Sequence, residues 1–205
     1  IKNTGSCRSL LKDGIRSVLP LPQNPLHSIA RFHFRRFGKL LRGRTALKVS
    51  KTVGIEPSAA LNWALAVELM HNASLVHDDI CDQDANRHDY PTIFSAFGTP
   101  SAVCFGDWLV ARSFELAIKS VSSDKGVAAI GSLAAAMRFL SEGQSSEFNH
   151  KPILNWSAYE EVVSKKTTPL LLAPIEGPLL MSGQKGYLPS VRRVVCAIGH
   201  AYQIS

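Results

Sequence analysis

The strongest constraint on the fold is a long central segment that contains no glycine or proline between Pro57 and Pro91. Ser58 is a candidate N-cap at its start. Apolar residues recur through the segment at steps of three and four, which is the period of an α-helix. They are Leu61, Leu65, Leu69, Ala73 and Val76. The segment runs into a group of acids, so the sequence predicts one helix that joins an apolar face to a cluster of carboxylates.

The rest of the chain also has helical patterns. A proline-rich break at 20–25 separates a short first helix from the next segment. The further predicted helical segments are 30–54, 102–121, 124–141, 155–181, which internal prolines must kink or divide, and a last one from Pro189. Alternating strand patterns and hairpin signals are scarce. We therefore predict an all-α protein with one domain over residues 1–205, in which residues 1–25 form a peripheral N-terminal segment.

Basic charge is concentrated at the start of the chain. Residues 1–50 contain 11 Lys and Arg and a single acid, Asp13, in a chain of formal net charge +7. Such a region suits nucleic acid, an anionic membrane surface, or a polyanion that a distant acidic cluster holds through metal ions. Its charges are interspersed with Leu, Phe and His, unlike a polybasic tail, and composition leaves these alternatives open.

Composition excludes some classes of protein. Hydrophobic residues make up 45% of the chain and charged residues 19%, which is typical of a packed globular protein. The longest apolar stretch, Val127 to Met137, is too short to cross a membrane, so we expect no transmembrane segment. The cysteines have no metal-ligand spacing and indicate free thiols in a reducing compartment, the cytoplasm.

The acidic cluster contains the candidate chemistry. Asp78 and Asp82 are one helical turn apart and share a face, and Asp79 lies about 100° away from Asp78. His71 and Ser74 lie on nearly the same stripe, towards the start of the helix. Carboxylates that converge in this way repel one another unless a cation compensates, and Mg²⁺ does so while leaving positions open for phosphate oxygens. The alternative is a solvated acidic helix end.

An ordered set of motifs resembles one family, the trans-isoprenyl diphosphate synthases or polyprenyl synthetases, from about Phe37 to Ser205. The segment from Phe37 to Gly43 is similar to the family's G-G-K-x-x-R-G/P element, and the one from Glu68 to Asp82 to its first aspartate-rich motif. The remaining landmarks, in chain order, are Arg87 with Pro91-Thr92, Gly106-Asp107, Gly143-Gln144, Lys166-Thr167 and Tyr202-Gln203.

The resemblance implies a helical bundle of the isoprenoid synthase type and an Mg²⁺-dependent prenyltransferase. Asp78, Asp79 and Asp82 would hold Mg²⁺ against the diphosphate of an allylic substrate, which Arg87 would also contact. The group that ionises would lie near Lys166, Thr167 and Gln203.

By the same resemblance, a second group of residues would bind the other substrate, isopentenyl diphosphate. Its members are Lys39, Arg42 and His71, and Gln144 is a further substrate-binding residue. Lys39 and Arg42, at i and i+3, would share a face if their segment is helical. From the residues alone, His71 also fits a hydrogen-bonded interior histidine, and Trp63 and Trp108 fit the core.

Product length depends, in the family, on side chains just before the aspartates. Here Ala73 and Ser74, the fifth and fourth residues before Asp78, are small, and Met70 lies one turn below Ala73. These pocket-lining residues predict products of about twenty carbons or more.

The chain departs from the family pattern in two places. His88-Asp89 replaces an arginine and a glycine, and Leu40 stands where some members have an arginine. The chain also stops at Ser205, where a second aspartate motif is expected, so we expect that the C-terminal part of the family domain is absent.

These features support a prenyltransferase that condenses isopentenyl diphosphate with an allylic diphosphate. The alternatives are a terpene cyclase or a prenyltransferase with another acceptor on the same scaffold, and a non-catalytic partner subunit. We expect a homodimer and no nucleic-acid partner.

Overall fold

The computed structural model describes residues 4–121, 124–149 and 165–204, and this part of the chain is almost entirely helical. The α-helices are α1 (Thr4–Val18), α2 (His27–His33), α3 (Leu41–Thr52), α4 (Pro57–Cys81), α5 (Ile93–Lys119), α6 (Asp124–Asn149), α7 (Thr168–Met181) and α8 (Leu188–Ile204). A short 3-10 helix, Lys185–Tyr187, precedes α8, and a two-stranded antiparallel hairpin joins β1 (Asn86–Arg87) to β2 (Tyr90–Pro91). The predicted all-α fold is confirmed.

Helix α4 is the centre of the structure, with α5 as its most extensive neighbour. Residues 63–70 are all buried, so the helix meets neighbours on every side of its middle turns. The Trp63 indole N–H donates to the carbonyl of Ala173 in α7 at 3.2 Å, and the Ser113 hydroxyl of α5 donates to the carbonyl of Ala66 at 2.8 Å. The interpretation of Trp63 as a core residue is confirmed, while Trp108 is only partly buried.

The ends of α4 differ from those that the sequence predicts. The N-cap is Glu56, whose carboxylate accepts the backbone N–H groups of Ser58 and Ala59 at 2.9 and 3.0 Å. Pro57 occupies the first helical position, where its missing N–H is not needed. The prediction of Ser58 as N-cap is therefore wrong by two residues. The helix ends at Cys81, with Asp82 as its C-cap.

The predicted helical segment 30–54 is two helices. Helix α2 ends at His33 and α3 begins at Leu41, and Leu40 between them has φ 50° and ψ 43°, in the left-handed region. Lys39 therefore lies outside α3, and the helical face that Lys39 and Arg42 were expected to share does not form.

The hairpin was not expected from the sequence either. His88 and Asp89 form its two-residue turn, and both have positive φ, 48° and 64°. Turns of this kind favour Asn-Gly or Asp-Gly, so His-Asp gives little signal, although both residue types tolerate this region better than most others.

Helix α5 has the length and mean hydropathy of a segment that could cross a membrane, a test that core helices of globular proteins also pass. It is broken near its start, where Gly98 is non-helical and Pro100 follows. The longest apolar segment is therefore α5 rather than the predicted 127–137.

The contact between Gly177 and Trp63 gives a test of the core. A Cβ atom at Gly177 would lie 2.0 Å from the Trp63 ring, whereas one at Gly131, on an exposed part of α6, would meet nothing within 4 Å. We expect Gly177→Ala to lower the free energy of unfolding by about 1–3 kcal/mol. Gly131→Ala should raise it by about 0.5–1 kcal/mol, because alanine favours helix. Urea unfolding of both variants measures this, and equal effects would contradict the packing described.

Candidate active site

Three carboxylates lie at the C-terminal end of α4. Asp79 is buried, Asp78 is half-buried and Asp82, the C-cap, is exposed. Burial is the largest cause that raises the pKa of both Asp78 and Asp79. Asp82 raises the pKa of each further, so this helix end holds negative charges that repel one another.

Arg87, on strand β1, supplies the closest positive charge. Its Nε and Nη2 atoms both lie 2.7 Å from Asp79 Oδ1, and its Nη2 lies 4.0 Å from Asp84 Oδ2. The hairpin therefore brings a guanidinium to the most buried of the three aspartates.

Two further polar side chains, one on α6 and one just before α7, lie close to these carboxylates. Gln144 on α6 donates from Nε2 to Asp82 Oδ1 at 3.3 Å, and its Oε1 is buried without a hydrogen-bond partner. Lys166, just before α7, lies close enough to lower the pKa of Asp78, and its Nζ is 2.5 Å from Glu147 Oε2. The structure thus brings Gln144 and Lys166 close to the aspartates.

A second group forms around His71, two turns earlier on α4. Glu68, only 2% exposed, accepts the backbone N–H of Gly43 in the first turn of α3 at 2.7 Å. A Cβ at Gly43 would lie 2.8 Å from Glu68 Cγ, so glycine permits this approach. Because Glu68 fixes the start of α3, it also fixes Arg42, whose Nε donates to the carbonyl of Leu170 at 3.1 Å.

His71 is neutral in this environment. Burial first, and then the positive charges of Arg42 and Arg87, together lower its pKa from the ordinary 6.5 to about 3. Arg42 of α3 and Arg87 of the hairpin therefore both disfavour the protonated form of the same imidazole. A neutral histidine between cations can donate one hydrogen bond to an anion without adding charge.

Sequence reasoning missed His33 of α2, which also reaches this group. One ring nitrogen of His33, Nε2, lies 2.8 Å from Asn72 Oδ1, and Asn72 Nδ2 donates to the Glu68 carbonyl at 2.8 Å. Since the amide oxygen can only accept, His33 Nε2 carries the proton. The one available signal was Asn72, a polar side chain in an apolar helix beside His71.

His77 ties the acidic end of α4 to α5. Its Nε2 lies 3.3 Å from Asp107 Oδ1, and a Cβ at Gly106 would come within 2.3 Å of the same ring atom. The Gly106-Asp107 pair therefore has a packing role: glycine admits the His77 ring and aspartate binds it.

The remaining predicted site residues occupy different positions. Met70 and Ala73 are fully buried, and the Ser74 hydroxyl donates to the His71 carbonyl at 2.8 Å. Lys39 is exposed, and Thr167 directly precedes α7. The side chain of Gln203 lies outside the described residues, as does part of the predicted segment 155–181.

The carboxylates at this end of α4 suit a hard cation. Among residues 4–121, 124–149 and 165–204, no three acidic, His or Cys side chains are grouped closely enough to hold a metal ion. Mg²⁺ commonly takes only one or two carboxylates together with substrate phosphates. Asp78 and Asp82, neither of which is bound by Arg87, fit that requirement, and Asp79 fits it if Arg87 releases its carboxylate.

Comparison with known proteins gives a consistent result. The polyprenyl synthetase family profile matches residues 23–205. The chain is similar to a geranylgeranyl pyrophosphate synthase from Geoglobus acetivorans, 33% identical over 162 residues, which are 78% of this chain and 51% of that protein. It is similar to a short chain isoprenyl diphosphate synthase from Methanothermobacter thermautotrophicus, 32% identical over 170 residues, covering 82% of this chain and 52% of that one.

The fold comparison agrees. The crystal structure of a geranylgeranyl pyrophosphate synthetase from Pyrococcus horikoshii superposes with a TM-score of 0.87 at 30% identity, covering 96% of this chain and 62% of that one. The chain spans about half the length of the curated relatives it matches.

The environment of His33 gives a test based on pH. Burial lowers the pKa of His33 from 6.5 to about 4, so between these values the unfolded chain binds more protons than the folded one. The free energy of unfolding therefore falls as the pH falls through this window. Glutamine can still donate to Asn72 but does not titrate. Between about pH 7 and about pH 5 we expect His33→Gln to lose about 2 kcal/mol less stability than the wild type.

Urea unfolding of both proteins at each pH measures the difference. His71 titrates in both and cancels in the comparison. Parallel stability curves would show that the His33 imidazole is not protected from protonation in the folded state.

Proposed function

Because the chain belongs to the polyprenyl synthetase family, we propose that it is an Mg²⁺-dependent prenyltransferase. It condenses isopentenyl diphosphate with an allylic diphosphate to form a longer isoprenyl diphosphate. We propose further that residues 1–205 act as one domain and that the reaction takes place between the two polar groups of α4.

The observation that carries this proposal is the presence of two different polar groups along α4, one around His71 and one that begins at Asp78. Arg42 and Arg87 act on neutral His71, and the one acid of this group, Glu68, is buried and bound to the backbone N–H of Gly43, whereas Asp78 begins an acidic group seven residues after His71. Seven residues correspond to about 10 Å along the helix. The first group suits direct binding of a diphosphate, and the second suits a diphosphate bound through metal ions. A reaction between two diphosphate substrates needs both.

The acidic group would hold the metal. Asp78, Asp79 and Asp82 supply the carboxylate oxygens, and Mg²⁺, when bound, would stabilise the negative charge of the departing diphosphate. Arg87 and Lys166 lie beside these carboxylates and would neutralise the same leaving group from the protein side.

The other substrate-binding residues would hold isopentenyl diphosphate. Arg42 and Lys39 flank the start of α3 and supply positive charge, and neutral His71 donates a hydrogen bond. Gln144 and Thr167 would orient the allylic substrate, and Gln203 would act with them. The role of Gln203 rests on the motif match alone, and the other roles rest on the motif match together with the local geometry.

The apolar face of α4 would receive the growing chain. Met70 and Ala73 are buried, and Ser74 directs its hydroxyl to its own helix, so these residues offer small or apolar surface next to His71. A dry surface protects an allylic carbocation from water until the alkene attacks. We propose products of about twenty carbons or more.

We also propose a homodimer that acts in the cytoplasm. Helices α5 and α6 present exposed apolar side chains, among them Ile118 and Val127, each 60% exposed. Covering such residues favours association of two copies. The four cysteines are free thiols, which fits a reducing compartment.

Radiolabelled isopentenyl diphosphate tests the function directly. We expect the purified chain, with Mg²⁺ and allylic primers, to incorporate the label into a longer diphosphate. A hydrocarbon or alcohol formed from the allylic diphosphate alone would instead identify a cyclase, a reading that His88 favours because it replaces an arginine at the exposed turn tip. Turnover that appears only with a second chain would identify a partner subunit.

Removal of one carboxylate tests the metal site. We expect Asp78→Ala to lower turnover at least about a hundredfold, because the leaving group loses stabilisation in the transition state. The fold should persist, since burial and neighbouring acids already disfavour the charged form of Asp78. Asp124→Ala removes an exposed acid on α6 and is the matched control. Near-normal turnover in Asp78→Ala would refute the assignment.

A larger side chain at Ala73 tests the pocket. We expect Ala73→Phe to shorten the product, because the phenyl ring would occupy the space of the growing chain. Ala111→Phe, at an exposed position on α5, should leave product length unchanged. If Ala73→Phe does not fold, Ala73→Leu replaces it. A folded, active variant with an unchanged product would remove Ala73 from the pocket lining.

A further inference from the structure

A cavity of about 390 Å³ lies between the end of α1 and α2. None of its lining residues belongs to the candidate active site. This volume is within the range of small-molecule sites in proteins. The cavity lies within the basic N-terminal region, most of whose positive charges the proposed function leaves unused.

Three arginines line this cavity. Arg16 comes from α1, Arg31 from α2, and Arg35 follows α2. Arg16 is paired with Asp13 at 3.1 Å, and Arg35 stacks on the Phe32 ring at 3.7 Å. Asp13 is the one acid in the first 50 residues. Of the three arginines, Arg16 is the one paired with this carboxylate, so the lining carries positive charge that a bound anion would balance.

The floor of the cavity is apolar and its geometry is fixed. Ala30 is fully buried and Phe34 nearly so. His27, also in the lining, has its Nδ1 2.7 Å from the carbonyl of Pro20. A carbonyl only accepts, so Nδ1 carries a proton and holds the ring in place. A ligand in this cavity would therefore contact arginine side chains as well as the apolar side chains of Ala30 and Phe34.

We propose that this cavity is a second ligand site, which binds a phosphate or diphosphate group attached to an apolar chain. Guanidinium groups match phosphate oxygens in pairs of parallel hydrogen bonds, and the floor covers the first carbons of the chain. Leu21, 63% exposed beside Pro20, extends the apolar surface outward. A dissolved alkyl phosphate and the headgroup of an anionic lipid share this chemistry.

Hydrogen exchange of the backbone from residue 19 to residue 32 locates the binding, with n-octyl phosphate as the probe. We expect protection of this segment in the wild type, and in Arg31→Gln we expect it to need about tenfold more probe. Lys51→Gln removes an equal charge from the exposed end of α3 and should leave the response unchanged. Both substituted side chains are exposed, so both variants should fold.

A third variant separates this site from the active site. Arg42→Gln weakens the proposed diphosphate site on α3 but should leave the protection at 19–32 unchanged. Loss of protection in Arg42→Gln, or equal loss in Lys51→Gln and Arg31→Gln, would overturn the proposal, as would no protection in the wild type.

Co-sedimentation with vesicles identifies the source of the phosphate. The vesicles contain phosphatidylcholine with a minor fraction of phosphatidic acid. Binding that Arg31→Gln reduces and Lys51→Gln does not would assign the site to a lipid headgroup. Protection by octyl phosphate with no vesicle binding would assign it to a dissolved phosphate.

Discussion

The structure depends on one constraint: a helix that is buried along most of its length must find a partner for every polar side chain it carries. Helix α4 meets this requirement with a different neighbour at each turn. Glu68 accepts from Gly43 of α3, Asn72 binds His33 of α2, and Asp79 binds Arg87 of the hairpin. Each of these contacts joins α4 to a different element, so the polar side chains of α4 fix where the surrounding elements lie.

The charges on α4 are arranged against its own dipole. The C-terminal end of a helix carries partial negative charge, and three aspartates at that end are destabilised by it as well as by one another. No basic residue occupies the last turn of α4. Compensation must come from outside the helix, and Arg87 and Lys166 supply it. Under the proposed function, a bound cation would compensate the remaining negative charge.

The sequence was sufficient to predict helix α4 and the carboxylates at its end, because both predictions depend on local periodicity and on residue type. It was not sufficient for the break before α3, since Leu40 adopts a left-handed conformation that its own side chain does not favour. It also missed the contact of His33 with Asn72, which joins residues 39 positions apart. Glu56 shows the same limit at short range, because Ser58 is the stronger N-cap by residue type, and only the backbone geometry selects the glutamate.

Under the proposed function, Arg87 couples the binding of the metal cation to the binding of the diphosphate. Both of its close contacts are to Asp79 Oδ1, an atom that a bound cation would also use. A cation held by this carboxylate would weaken its hold on the guanidinium, which would then be available to a diphosphate. Linkage is reciprocal, so a diphosphate that draws Arg87 from Asp79 raises the affinity of the carboxylate for the cation by the same factor. The partly buried ion pair is therefore a reason to expect metal and diphosphate to bind together more strongly than either binds alone.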